Sequence, residues 1–256
     1  MTTTLLPLRA HARSWHLLIL LVAFFLPANS FSQTDPSPAA TVAVDAPQLT
    51  TPTIDSGDTA WILASTALVL FMTIPGLALF YGGLVRSKNI LSVFMHCLVL
   101  TGLVSIIWVV FGYSLALDDS VNPESGVIGL GSFLGGTSKF MFANTLGNVT
   151  GTIPELLMAA FQMTFAVITP ALIVGAFAER MKFSAVVLFS AIWLVVVYIP
   201  ICHMTWGGGL FAQWGVIDLA GGIVVHVTAG FAALVACLMV GPVSYTHLTL
   251  PTTPYV

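Results

Sequence analysis

Asp218, Gly222 and His226 are the residues whose types and spacing point most directly to chemistry. They stand four residues apart in the otherwise apolar stretch "DLAGGIVVHVTAGFAALV". On an α-helix, positions i, i+4 and i+8 share one face. A charged side chain at the centre of a membrane helix costs about 2.5–3.5 kcal/mol, so an ionisable residue there usually has a function. The spacing predicts a helix with a carboxylate at its start, a structural glycine, and an imidazole two turns on.

Each of these two ionisable side chains has two interpretations. We expect His226 to lie near the middle of the membrane with an uncharged ring, because burial disfavours the charged form. A neutral imidazole offers one donor and one acceptor to a small solute, or it simply bonds a neighbouring helix. Asp218 is placed to cap free backbone N–H groups at the start of the helix. An attraction for an outside cation is compatible with this cap.

Three aromatic side chains extend the pattern. Phe161 and Phe165 form an i, i+4 pair, and Trp206 precedes three glycines. A phenylalanine pair at this spacing is usual in a packed core, but across a pore it would exclude water. An indole beside a loop either anchors a helix at the membrane surface or offers its face to a cation. With His226, these residues describe a path for a small cation that can release a proton.

The sequence lacks the patterns of common catalytic and metal-binding sites. HExxH, GxSxG, the phosphate-binding P-loop and Cys/His clusters are absent. Cys97, Cys202 and Cys237 follow no disulfide or metal spacing, so we expect them to be packing residues. The net charge is −3 without a basic run, which argues against nucleic acid as a partner. We therefore predict no catalytic residue, no metal and no cofactor.

Composition assigns the chain to the membrane. Hydrophobic residues make up 57% and charged residues 7%, whereas a soluble domain is about a quarter charged. A transmembrane helix needs about 20 mostly apolar residues. Five stretches meet this requirement, at about 61–81, 90–117, 153–177, 184–204 and 219–240. They predict an all-α polytopic membrane protein.

The ends of the chain differ from this apolar region. Residues 1–32 combine basic, apolar and small residues in the order of a signal peptide, and 33–58 read as a flexible extracytoplasmic lead-in. Residues 59–241 form the transmembrane domain, and 242–256 lose its character and look non-native. Basic residues cluster after spans one and three, which places those loops in the cytoplasm. We expect a multi-pass inner-membrane protein with an extracytoplasmic mature N-terminus.

Four segments carry a family resemblance. They read "ALVLFMTIPGLALFYGGLVRSKN", "AFQMTFAVITPALIVGAFAERMKFSA", "YIPICHMTWGGGL" and "DLAGGIVVHVTAGFAALV". Over about residues 60–241 the chain resembles the Amt/Mep/Rh ammonium transporter family, and bacterial Amt proteins in particular. The resemblance implies an eleven-helix fold of two inverted five-helix halves plus a last helix, with this chain as the first half. It also implies a homotrimer in the lipid bilayer and a PII-type regulatory protein as cytoplasmic partner.

The same resemblance implies roles for the residues above. Trp206 would line an outer ammonium recruitment site, with Phe161 beside it, and Phe165 would be one half of a stacked phenyl gate. His226 would be the first of two pore histidines. Asp218 would be the buried aspartate that supports the recruitment site. Transport would proceed by capture of ammonium, its deprotonation, and passage of ammonia through an apolar pore.

Two other functions compete with transport. Some family members are ammonium sensors, and an appended cytoplasmic signalling module would favour that function. An intramembrane enzyme using Asp218 and His226 as acid and base is disfavoured by their separation and by the lack of a nucleophile. The partner histidine and the second gate phenyl would belong to a half that follows the fifth span. We therefore expect this chain alone not to transport, whereas the complete gene product does.

Overall fold

The structure is a computed structural model that describes residues 53–123 and 126–242. The long helices are α1 (Ser56–Leu84), α2 (Ser87–Leu117), α3 (Glu155–Phe177), α4 (Phe183–Gln213) and α5 (Gly222–Val240), and an antiparallel hairpin joins β1 (Val149–Thr150) to β2 (Ile153–Pro154). Single helical turns at Leu130–Ser132 and Phe140–Phe142 lie between α2 and α3. Each of the five long helices is long and apolar enough to cross a membrane. The predicted all-α fold with five spans is confirmed.

The segments predicted at the ends of the chain lie largely outside the described residues. These are the signal peptide at 1–32, most of the lead-in at 33–58, and the tail at 242–256. Where the lead-in is described, it differs from the prediction, because α1 already begins at Ser56. Asp55 explains this early start. Its Oδ1 accepts a hydrogen bond from the N–H of Asp58 at 2.8 Å, which caps a free backbone donor of the helix.

Three other spans begin or end at residues other than those predicted from the sequence. α3 begins at Glu155 because residues 153–154 pair with β1. α4 continues to Gln213, after a break at its three glycines. α5 begins at Gly222, three residues later than predicted, because Asp218 caps it from outside the helix.

α3 is the central helix of the bundle. It packs against α1, α2 and α5. Of the 18 most apolar consecutive residues in each helix, 56% are buried in α3, against 11% in α1 and 17% in α5. Trp108 of α2 donates from Nε1 to the carbonyl oxygen of Ala159 at 3.0 Å. Tyr81 of α1 donates from its hydroxyl to the carbonyl oxygen of Leu172 at 2.7 Å. Gly175 permits this approach, since a Cβ there would collide with the Tyr81 ring.

The loops meet at the two ends of the bundle. The loop after α2 contacts the glycine break in α4, where Asn122 donates from Nδ2 to the carbonyl oxygen of Gly207 at 2.8 Å; we call this the Trp206 end. At the other end, the loops after α1 and α3 meet, and the N–H of Arg86 donates to Oε1 of Glu179 at 3.0 Å. We call this the Arg86 end.

Large apolar side chains cover the outer faces of α1 and α5. Trp61 is 70% exposed, Leu238 74% and Met239 82%. Exposing such side chains to water is unfavourable. These faces therefore suit lipid or further membrane helices.

Candidate functional site

A carboxylate cap forms the start of α5. Asp218 Oδ1 accepts a hydrogen bond from the N–H of Gly222 at 2.7 Å. Its Oδ2 accepts from the N–H groups of Ile223 at 2.8 Å and Val224 at 3.0 Å. A helix begins with four N–H groups that lack an intrahelical partner. One side chain thus satisfies three such donors, which is the capping arrangement expected for this residue.

The predicted helical face of Asp218, Gly222 and His226 does not form, and Gly221 is the reason. Its φ is +74°, a left-handed conformation that favours glycine. A Cβ there would lie 2.7 Å from Cγ2 of Val225. The chain enters α5 through this turn, so Asp218 lies before the helix and not within its first turn.

The cap also determines the ionisation of Asp218. Desolvation raises its pKa, but hydrogen bonds from the backbone of residues 221–224 outweigh this effect and hold the pKa below its ordinary value of 3.8. Asp118, in the loop after α2, behaves in the same way. Desolvation raises its pKa, but hydrogen bonds from Ser138 and Ser120 outweigh this effect and hold the pKa below its ordinary value. Both carboxylates therefore hold the backbone and loops at the Trp206 end.

His226 lies in a stretch of wider π-helical turns, Gly222–Val227. Its Nδ1 is 2.9 Å from the carbonyl oxygen of Gly221. A carbonyl oxygen only accepts, so Nδ1 carries a proton and a neutral ring keeps Nε2 as an acceptor. The alternative interpretation, a hydrogen bond to a neighbouring helix, is wrong. The partner of Nδ1 is Gly221, which directly precedes the helix that carries His226. The residue is exposed and lies nearer to the start of α5 than to its middle, because the helix begins only four residues earlier.

Phe161, Phe165 and Trp206 come together as what we call the aromatic cluster. The centroids of the two phenyl rings are 5.0 Å apart at 88°, and those of Phe165 and Trp206 are 6.1 Å apart at 67°. Edge-to-face arrangements of this kind are favourable. Trp206 donates from Nε1 to the backbone carbonyl oxygen of Asp218 at 2.8 Å. Because its N–H is bonded within the protein, the face of the indole is what a ligand would meet.

A groove of about 360 Å³ lies between α1, α3 and the start of α5. Phe165 and His226 both line it. Its other lining residues are apolar or glycine: Val69, Met72, Gly76, Leu77, Phe80, Ile168, Leu172, Ala220 and Val225. His226 is thus the one ionisable side chain among the lining residues. A larger groove of about 480 Å³, between α4 and α5, has no ionisable lining residue. The smaller groove is therefore the candidate site.

All the predicted site residues lie around the start of α5, but two residues of the arrangement were missed. Gly221 sets the turn, and a glycine pair before an apolar run is the only signal it leaves. His203 is fully buried, with both ring nitrogens near backbone carbonyl oxygens. Its spacing of three residues from Trp206, which puts both on neighbouring helical turns, was the available signal.

The described residues contain no group of three or more His, Cys, Asp or Glu that could hold a metal ion. Cys97 and Cys202 are buried, as expected of packing residues. Cys237 is exposed, so its interpretation as a buried packing residue is wrong. It lies on α5, a helix that leaves much of its surface open.

Five helices of membrane length, packed into a bundle with an apolar groove, define a multi-pass membrane protein. The sequence matches the model of the Ammonium Transporter Family over residues 60–247. The chain belongs to this family.

Individual relatives agree with this assignment. The ammonium transporter of Aquifex aeolicus is 46% identical over 193 residues, covering 73% of this chain and 43% of the relative. That of Bacillus subtilis is 49% identical over 185 residues, covering 72% and 44%. The crystal structure of Saccharomyces cerevisiae Mep2 aligns with a TM-score of 0.65 and 32% identity, over 74% of this chain and 41% of Mep2. The chain spans less than half the length of each.

Proposed function

We propose that this chain is the first half of an ammonium transporter and that the groove forms one wall of its pathway. The observation that carries the proposal is the lining of the groove, which is apolar except for His226. Removing an ion from water is costly, whereas ammonia is neutral and small. An apolar path with one imidazole suits passage of ammonia after ammonium has released its proton.

Capture of the cation is the role proposed for Trp206 and Phe161. A cation over an indole face gains about 0.5–1 kcal/mol at an exposed site, and more when it is desolvated. The hydrogen bond from Trp206 to the Asp218 carbonyl supports this role by orienting the ring. Phe165 contacts Trp206 and also lines the groove. It is therefore proposed as half of a gate between the capture site and the path.

His226 acts on the neutral species in this proposal. Its Nδ1 proton is engaged by the carbonyl oxygen of Gly221. The acceptor nitrogen, Nε2, is then available for a hydrogen bond from ammonia. Losing one such bond in a site without water changes a rate by about tenfold, since a hydrogen bond contributes about 1 kcal/mol and somewhat more to a charged group.

The remaining parts of the proposal concern the complete protein, meaning this half joined to a second, inverted half. The exposed faces of α1 and α5 support such a partner half. We propose a homotrimer of the inner membrane, with an extracytoplasmic mature N-terminus and a PII-type protein binding from the cytoplasm. The relatives it matches are named ammonium transporters, which favours transport over sensing.

The experiment begins by reading the nucleotide sequence downstream of codon 241 and expressing the complete protein. His226→Ala is expected to lower uptake of labelled methylammonium about tenfold or to change its selectivity against potassium. His96→Ala is the matched control, because His96 is a buried histidine near Phe183 at the Arg86 end, outside the groove. Unchanged uptake and selectivity in the His226 variant would contradict the proposal.

A further inference from the structure

His203 faces two different segments of the Trp206 end. Its Nδ1 lies 3.1 Å from the carbonyl oxygen of Ala116 in α2, and its Nε2 lies 2.9 Å from that of Gly131 in the following loop. A ring nitrogen can hydrogen-bond a carbonyl oxygen only when it carries a proton. A neutral imidazole has one such proton and an imidazolium has two. A neutral ring therefore donates to one of these two oxygens, and in either tautomer it ties α4 to a neighbouring segment.

Two glycines of neighbouring segments lie close to the His203 ring. A Cβ on Gly135 would lie 3.1 Å from His203 Nδ1 and 2.7 Å from the carbonyl oxygen of Asp118. A Cβ on Gly209 would lie 3.0 Å from the ring and 2.5 Å from the carbonyl oxygen of Ser132. The glycines let these segments approach the ring.

The same contacts act on the turn that carries the indole. His203 stands three residues before Trp206 in α4, so both lie on neighbouring turns. The glycine turn after Trp206 is held by the same loop, through the hydrogen bond from Asn122 to Gly207. From the other side, Trp206 is tied to the Asp218 carbonyl. The indole is thus held from two sides, and His203 belongs to the side formed by the loop.

We propose that His203, which lies between the carbonyl oxygens of Ala116 and Gly131, positions Trp206 for the cation. The inference rests on the proposed transport function, since that function supplies the cation that Trp206 would meet. His203 is a positioning residue, because it is not among the residues that line the groove. The His203 ring thus joins α4 to α2 and to the loop.

The bonding pattern is tested on the chain itself. Solid-state NMR of the isotope-labelled histidines in lipid vesicles reports whether each ring nitrogen is protonated. The spectrum of His203→Asn assigns the His203 signals by their loss. We expect a ring N–H of His203 that is shifted by a hydrogen bond to a carbonyl oxygen. A His203 ring without a hydrogen-bonded N–H would overturn the proposed contact.

The positioning role is tested in the complete protein. His203→Ala is expected to raise the KM for methylammonium about tenfold with a much smaller change in maximal rate, because capture and not passage is disturbed. Asn122→Ala should also raise KM. This variant tests the loop contact beside Trp206 if His203→Ala does not insert into the membrane. His96→Ala controls for the loss of a buried imidazole and should leave KM unchanged.

The outcomes separate this inference from the proposed function. If the parent protein is active and both His203→Ala and Asn122→Ala leave KM unchanged, the positioning role is wrong. The proposed transport function is not affected by that result. A parent protein that takes up no methylammonium overturns the transport function, and with it the role at the cation site. The NMR result then still decides whether the His203 ring is hydrogen-bonded to a neighbouring segment.

Discussion

At the scale of residues, the carboxylate of Asp218 connects the stability of the site to its geometry. Its side chain caps α5, and its backbone oxygen orients Trp206. Asp218→Asn keeps the size but replaces one acceptor oxygen by a donor that opposes backbone N–H groups. We expect the chain in detergent to lose about 1–2 kcal/mol of unfolding free energy. Thermal or denaturant unfolding measures this loss.

Asp119→Asn is the control for that substitution. Asp119 is the exposed neighbour of Asp118 in the loop after α2, so the same loss of charge should change the unfolding free energy by less than about 0.5 kcal/mol. Equal losses in the two variants would show that net charge, and not the cap, is responsible.

The ionisation of Asp218 gives a prediction for pH. Because its pKa in the folded chain is lowered below 3.8, the unfolded state binds the proton more readily. The stabilisation is then fully present above the ordinary carboxyl range and is lost as pH falls through the lowered pKa. The difference in melting temperature between the chain and Asp218→Asn should shrink below about pH 4. A constant difference down to pH 2 would argue against an ionised cap.

At the scale of elements, the start of α5 depends on one left-handed glycine. Gly221→Ala forces an L side chain to φ +74° and brings its Cβ within 2.7 Å of the Val225 side chain. The left-handed conformation alone costs about 1–2 kcal/mol. We expect a lower melting temperature for the chain in detergent. The hydrogen bonds from residues 222–224 to Asp218 should weaken, which faster backbone hydrogen exchange at these residues would show.

Gly230→Ala is the matched substitution within the same helix. A Cβ at Gly230 meets nothing within 4 Å, and alanine is the better helix former by about 1 kcal/mol. This variant should be as stable as the parent or slightly more so. If both glycine variants melt at the same temperature, the turn at Gly221 does not control the start of α5.

At the scale of the whole molecule, the groove has walls from α1, α3 and α5 only, and His226 is exposed on it. A path that isolates ammonia from water and ions needs walls on all sides. We expect vesicles containing only this chain to conduct no ammonia or methylammonium above the level of empty vesicles. A fluorescent pH indicator inside the vesicles measures the flux.

The complete protein in the same vesicles is the positive control. Growth of a transport-deficient cell on low ammonium, rescued by this chain alone, would contradict the expectation that one half is inactive. It would mean that this half suffices to form a pathway.

The five spans and the family could be predicted from sequence, and both for local reasons. A span is a sum of hydropathy over about 20 consecutive residues, and the quoted segments are contiguous. Short-range pattern also put Phe161 and Phe165 on one face and identified Asp218 as a capping residue. No information from elsewhere in the chain is needed for any of these.

Only the tertiary structure decided where α5 starts, which group orients Trp206, and what His203 contacts. The start of α5 depends on the conformation of one glycine, whereas the other two depend on residues further apart in sequence: Trp206 lies 12 positions from Asp218, and His203 lies 87 from Ala116 and 72 from Gly131. Periodicity placed Asp218 within the helix, because a 3.6-residue repeat cannot register a single left-handed glycine. Hydropathy shows that a segment enters the membrane, but packing determines which of its side chains face a neighbour and which face the groove.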